Sequence, residues 1–352
     1  MSGFEELRKF HTERRNAQIT VTVEKSPLPM LWLDSSVLID FAKIDNKEKV
    51  ENVRAARLSK LRELVRKLVR AEKLICPEWD QSLEFEGKRL EDRIRRIVSD
   101  LSCGAHCVPY AGVKDQQIIN GLTAYQAFAT AVHIPAKIHF YGNPLSAIRE
   151  AKQSGFIVEA VMSKPVEWVA KTDKDKRAIL RAWEGLRQEY HGKKRTFEEQ
   201  LALERIGESD AMLSMIGDYM KKVASGELDF WAYMGIQGFY TYQYVWRQMG
   251  GVGDPLAAVY SFMRSPYYWE LPVQDISCRL CSDLLVRHFE VKPGDQQDIN
   301  HLAAAIPVAH YVVADKSMVD RCERLDIGSK WKTKLFSTRT IENLCEELGG
   351  LP

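Results

Sequence analysis

The 352-residue chain has no long hydrophobic run. No apolar stretch approaches the roughly 18 residues that a membrane-spanning helix needs. Charge of one sign is also missing: 50 Lys and Arg face 48 Asp and Glu, a formal net charge of +2. That excludes a bulk polycation gripping nucleic acid by charge alone and leaves only local surfaces for such a role. Cysteine is sparse and odd in number, seven in all, which fits reduced thiols better than a disulfide framework. Residues 1–9 lack the apolar core of a secretory signal, so the expected location is the cytoplasm. What is present is ordinary for a folded chain, 45% hydrophobic and 28% charged, and the length predicts about two domains at roughly 150 residues each.

Along the chain the hydrophobic period changes several times. Pro27 and Pro29 precede Met30-Leu31-Trp32-Leu33, a short apolar run that reads as a buried strand ended by Asp34. Over residues 47–73, Leu58, Leu61, Leu64, Val65 and Leu68 mark one apolar helical face opposite a basic one. Leu74-Ile75-Cys76 predicts a second strand, and residues 79–101 a second helix. From about 110 to 270 the pattern is mostly helical and rich in aromatics towards its end. An α/β rhythm then returns: a helix over 276–289, a helix from Asp298 that Pro307 ends, a strand Tyr311-Val312-Val313-Ala314 stopped by Asp315, a strand at 334–336 and a helix over 341–348. The economical reading is one α/β domain split into 28–110 and 272–352, a helical insertion at 111–271 and an N-terminal arm at 1–27. Closing a longer surface loop adds little entropic cost, so such insertions are tolerated.

Acidic residues mark the ends of these strands and the helices behind them. Asp34 follows the first strand; Glu84 lies about a turn or two into the helix after the second; Asp295 and Asp298 precede or begin a helix; Asp315 ends the next strand. In an open parallel sheet the carboxyl ends of the strands form one rim, where ligands bind. Carboxylates gathered there repel one another unless a cation sits among them, and an all-oxygen donor set suits Mg²⁺ or Mn²⁺. Such a centre supports attack of water at phosphorus. Asp34 and Asp298 also have an ordinary role as helix N-caps. Glu78 and Glu86 stand close to Glu84, and Asp40 and Asp45 read as surface or turn residues.

These segments resemble, in order, the motifs of the PIN-domain nucleases. Asp34-Ser35-Ser36-Val37-Leu38-Ile39 is similar to the first, and Leu74-Ile75-Cys76-Pro77 leading to a glutamate to the second. Asp298-Ile299-Asn300-His301-Leu302-Ala303-Ala304-Ala305 and Tyr311-Val312-Val313-Ala314-Asp315-Lys316 are similar to the third and fourth. The resemblance covers about half the chain, and the glutamate position and the long insertion depart from it. It implies a three-layer α/β/α sandwich around a parallel sheet and metal-dependent hydrolysis of phosphodiesters, most often RNA. Asp34, Glu84, Asp298 and Asp315 would hold one or two Mg²⁺ or Mn²⁺ ions, with Asp295 as an alternate ligand and Ser36 supporting Asp34. A role as a toxin or host-defence effector under a partner's control extends the same likeness.

Arg62, Arg66, Lys88, Arg89 and Lys316 are the candidate nucleic-acid contacts, with RNA expected before DNA. The insertion's aromatics read first as a core or an interface, for a regulatory protein or a second copy of the chain, and second as stacking platforms. Cys103, His106 and Cys107 with Cys278 and Cys281 have loose spacing for structural zinc, which is not expected. Two other readings remain open: a non-catalytic PIN-like scaffold, and a haloacid-dehalogenase-type phosphatase. The phosphatase chemistry wants a second aspartate where Ser36 stands.

Overall fold

The structure, a computed structural model, describes residues 2–85, 89–154, 178, 180–189, 194–227, 230–287, 291, 292 and 294–352. The chain is mixed α/β and falls into two compact units. One comprises Met1–Thr22, Lys114–Ile134 and Arg187–Phe289; the other comprises Val23–Val113, Pro135–Leu186 and Glu290–Pro352. These units divide the chain differently from the expected spans. By contact, residues 1–22 and the Pro272–Val286 helix fall in the first unit, and residues 135–186 fall in the second.

Among the described residues five strands form: β1 (Thr20–Val23), β2 (Leu31–Leu33), β3 (Ala131–Ile134), β4 (Tyr311–Ala314) and β5 (Lys334–Ser337). In the second unit β2, β4 and β5 make a parallel sheet in that order, with Leu31 opposite Tyr311, Leu33 opposite Val313 and Ala314 opposite Ser337. Every residue of β2 and β4 is buried, as strands covered on both faces require. The expected second strand shrinks to a single parallel bridge, Ile75 to Met30. The sheet is therefore small.

Helices flank it for readable reasons. The Asn52–Arg70 helix buries Leu58, Leu61, Val65, Leu68 and Val69, with Val69 in the stripe and Leu64 only half-buried. The Ile341–Gly349 helix packs on that helix and buries Ile341, Leu344, Cys345 and Leu348. The Asp295–Val308 helix runs past Pro307, which sits in its last turn. The predicted helix over 79–101 is instead a short 3₁₀ turn, Asp80–Glu84, and a helix, Glu91–Ser102. A helix at Ser35–Asp45 follows β2 directly. It buries Asp40, which pairs with Arg54 and Lys43, so Asp40 is not the surface residue its sequence neighbours imply.

The first unit is helical apart from β1 and β3, which pair with each other. Thr196 and Glu199 form a reciprocal capping box that starts the Phe197–Ala224 helix, and this helix packs along Pro272–Val286. Tyr125, Trp246, Phe262, Tyr267 and Tyr268 are fully buried; Trp246 is tilted against Tyr125, and the others pack edge to face. Arg14 lies over Phe10 and donates to the carbonyls of Tyr125 (2.6 Å) and Gln126 (3.1 Å), closing the end of the Tyr110–Ala127 helix. These aromatics are core. Among the described residues no helix is long and apolar enough to cross a membrane.

Candidate functional site

The acids named from the sequence lie in the second unit. Asp34 leaves the end of β2, tied to β4 by its amide bond to the Val313 carbonyl at 2.9 Å. It caps the Ser35–Asp45 helix: its Oδ2 accepts from the Ser36 hydroxyl at 2.5 Å and the Ser36 amide at 3.1 Å. Asp315 repeats this geometry at the end of β4, accepting from the Ser317 hydroxyl at 2.7 Å and amide at 3.3 Å. Helix capping and a place on the rim are thus one conformation: the residue that turns the chain out of a strand presents its carboxylate beyond the strand end.

Asp295 opens the Asp295–Val308 helix and accepts from the Lys292 amide at 2.7 Å. Asp298, three residues on, has no protein hydrogen-bond donor among the described residues. Glu84 ends the 3₁₀ turn rather than lying within a helix. Of the neighbouring glutamates, Glu78 is turned to His106 at 3.3 Å, and Glu86 lies outside the described residues. Glu84 is the glutamate whose charge reaches Asp34 and Asp298.

The charges of the other four acids all reach Asp298. Burial, then the charges of Asp34, Glu84, Asp295 and Asp315, push the Asp298 carboxyl up to about 8. Burial raises Asp34 as well; the two Ser36 bonds oppose it and Glu84 adds to it. Burial works against the charge on Asp315, but Ser317 and the Lys292 cation outweigh it and hold that carboxyl below its usual range. Neighbouring carboxyls pushed in opposite directions are a pattern of functional sites.

The donor chemistry, oxygen throughout, fits a hard divalent cation. The spacing is looser than a finished centre: among the described residues no three His, Cys, Asp or Glu side chains converge closely enough to hold a metal ion as placed.

Two side chains at the site carried no role in the sequence reading. His301 is 9% exposed, with Nδ1 3.9 Å from Glu84 Oε1. Gln81 is 2% exposed and donates to the Leu33 carbonyl at 3.4 Å. His301 stands one turn beyond Asp298, a spacing that puts both on one helix face.

The basic candidates are mostly occupied. Arg62 holds both oxygens of Asp45 at 2.8 Å, and Asp45 is exposed, as a surface residue is expected to be. Arg66 pairs with Asp100 at 3.2 Å, Arg89 with Glu48, and Lys316 with Asp320. Lys88 lies outside the described residues. Arg93 and Arg96 have no carboxylate partner among the described residues, and with Asn46, Arg89 and the acidic Glu91 and Asp92 they line a groove of about 460 Å³. The thiols of the zinc candidates are all raised by burial, Cys278 to about 12, and Cys278 receives a bond from Gln274.

No protein-family model, no curated protein and no solved structure matches the chain.

Proposed function

We propose that the chain is a PIN-like, divalent-metal-dependent nuclease, with RNA as the leading substrate and a three-layer α/β/α arrangement around its parallel sheet. One observation carries the reading. Carboxylates from four separate chain segments, Asp34, Glu84, Asp295 with Asp298, and Asp315, act on one another beyond the ends of β2 and β4. Gathering them costs stability, and an offsetting cation is the simplest reason for a fold to keep them together. Their order along the chain follows the family's motifs.

A bound Mg²⁺ or Mn²⁺ would supply an activated water and offset charge growing on the leaving oxygen. The chain's own groups divide the remaining work. Asp34 and Asp315 are each held by a serine through one oxygen, Oδ2, which fixes their direction. Asp298 has no hydrogen-bond donor among the described residues that a cation would have to displace, and its raised carboxyl retains a proton near neutral pH without a cation. Arg93 and Arg96, rather than the paired Arg62 and Arg66, are the cations open to a phosphate backbone.

The test is Mn²⁺ titration together with cleavage of a labelled single-stranded RNA in Mg²⁺ or Mn²⁺. Asp298→Asn is expected to cut the cleavage rate at least about 100-fold, beyond the roughly 10–100-fold that outer supporting groups are worth. Unchanged cleavage in Asp298→Asn and Asp34→Asn overturns the site. RNA binding with neither Mn²⁺ uptake nor cleavage would make the protein a scaffold. Phosphate release from a simple monoester, blocked at Asp34, would make it a phosphatase.

A further inference from the structure

We infer that His301 is a positioning residue for this site: its Nδ1–H orients Glu84, the one proposed ligand carried on a short turn. The inference rests on the metal-site reading above and adds a residue and a role to it. His301 lies inside the Asp295–Val308 helix between buried Ile299 and Leu302. Its ring is tilted against that of Trp32, centroids 6.2 Å apart. The imidazole is thus fixed by a helix and by the strand that ends at Asp34.

Glu84 is placed differently. It closes a five-residue 3₁₀ turn, and no hydrogen bond holds its carboxylate among the described residues. Nδ1 of His301 is buried and has no hydrogen-bond partner, yet stands 3.9 Å from Glu84 Oε1. That separation is too long for a hydrogen bond and short enough for a small side-chain rotation to make one. A buried imidazole nitrogen without a partner and a nearby carboxylate without a donor complete each other when that nitrogen carries the proton. Closing the contact would fix the direction of the Glu84 carboxylate, as outer-sphere partners do for metal-binding carboxylates.

The experiment measures Mn²⁺ affinity for the wild-type protein, His301→Leu, His301→Asn and Asp298→Asn. It also reads the ¹⁵N spectrum of the His301 imidazole in the metal-free protein. Asparagine places an amide N–H near the position of Nδ1. His301→Leu is expected to weaken Mn²⁺ binding about 10–100-fold and His301→Asn no more than about threefold, with Nδ1 protonated in the wild type and its signal shifted in Glu84→Ala. Wild-type affinity in His301→Leu, equal losses in the leucine and asparagine variants, or a bare Nδ1 each overturns the role. If wild-type protein and Asp298→Asn take up Mn²⁺ alike, the metal site itself fails. The imidazole spectrum still decides whether His301 and Glu84 meet.

Discussion

The Ser36 hydroxyl lies 2.5 Å from Asp34 Oδ2, the same oxygen that the Ser36 amide reaches at 3.1 Å. Both donors converge on one oxygen, and Oδ1 is left without a protein partner among the described residues. Removing the hydroxyl takes away the stronger restraint while the backbone cap survives. Ser36→Ala is therefore expected to cost about 0.5–1.5 kcal/mol in urea unfolding. It should also raise the Asp34 carboxyl further and weaken Mn²⁺ binding several-fold. An affinity as tight as wild type would show that Ser36 serves only the helix start.

Asp298 gives the metal-free protein a pH signature. Its carboxyl is raised from the ordinary 3.8 to about 8 in the folded chain. Between those values the folded state holds a proton that the unfolded state has released. Stability from this group is thus full below about pH 4 and declines as pH rises through 8, by up to about 1.4 kcal/mol per unit. Asp298→Asn removes that decline. In chemical denaturation the variant should gain on wild type steadily from pH 5 to 8, and saturating Mg²⁺ should restore wild-type stability at pH 8 by mass action. A constant gap between the two proteins across this range would show that Asp298 is an ordinary ionised carboxylate.

Lys25 anchors the opposite end of the same helix. Its Nζ donates to the carbonyls of Ala309 (2.7 Å) and Ile306 (3.1 Å) and to Thr333 Oγ1 (2.7 Å). These are acceptors at the end of Asp295–Val308, and they hold the amine although burial and then Lys332 lower its pKa to about 7. Lys25→Met keeps the side chain's length and removes the donors, so a loss of about 2 kcal/mol is expected. Mn²⁺ affinity should stay unchanged, because the substitution lies at the far end of a 14-residue helix from Asp295. A loss of metal binding without a loss of stability would contradict this division of labour.

The strands and their terminal acids were legible because the signals coincide. Leu31–Leu33 and Tyr311–Ala314 are apolar runs too short for helices, each ended by an aspartate that caps the next helix. Asp34 and Asp315 could be found that way. Glu84 was harder, since a glutamate on a 3₁₀ turn has no period to mark it, and Glu78 was separated from it only by its contact with His106. β1 and β3 escaped notice because their pattern, Thr-Val-Thr-Val and Ala-Val-His-Ile, is four residues long in stretches otherwise polar or helical. Asp40 read as surface because composition does not reveal that Arg54, on the next helix, reaches it. His301 sat in plain view in the helix motif; only its burial and its unpaired Nδ1 mark it.

The basic helix faces illustrate how far charge counting misleads, and they set the last expectation. Arg62 and Arg66 occur among several cations on one helix, but Asp45 and Asp100 neutralise them locally. A phosphate competing for Arg62 must first displace a carboxylate held at 2.8 Å by both oxygens. Arg93 and Arg96 carry no such cost, and they sit three residues apart on the Glu91–Ser102 helix beside the groove. No side chain caps the amino end of that helix. The groove's Asn46 ends the Ser35–Asp45 helix that Asp34 begins, so it lies about 18 Å along that axis from Asp34. An extended strand of a few nucleotides would bridge them. Arg93→Ala with Arg96→Ala should weaken single-stranded RNA binding and lower the log–log salt slope by about 0.7 for each phosphate that the protein no longer neutralises. Arg62→Ala should change the slope little. The opposite ranking, measured by fluorescence anisotropy across a salt series, would move the nucleic-acid path to the face of the Asn52–Arg70 helix.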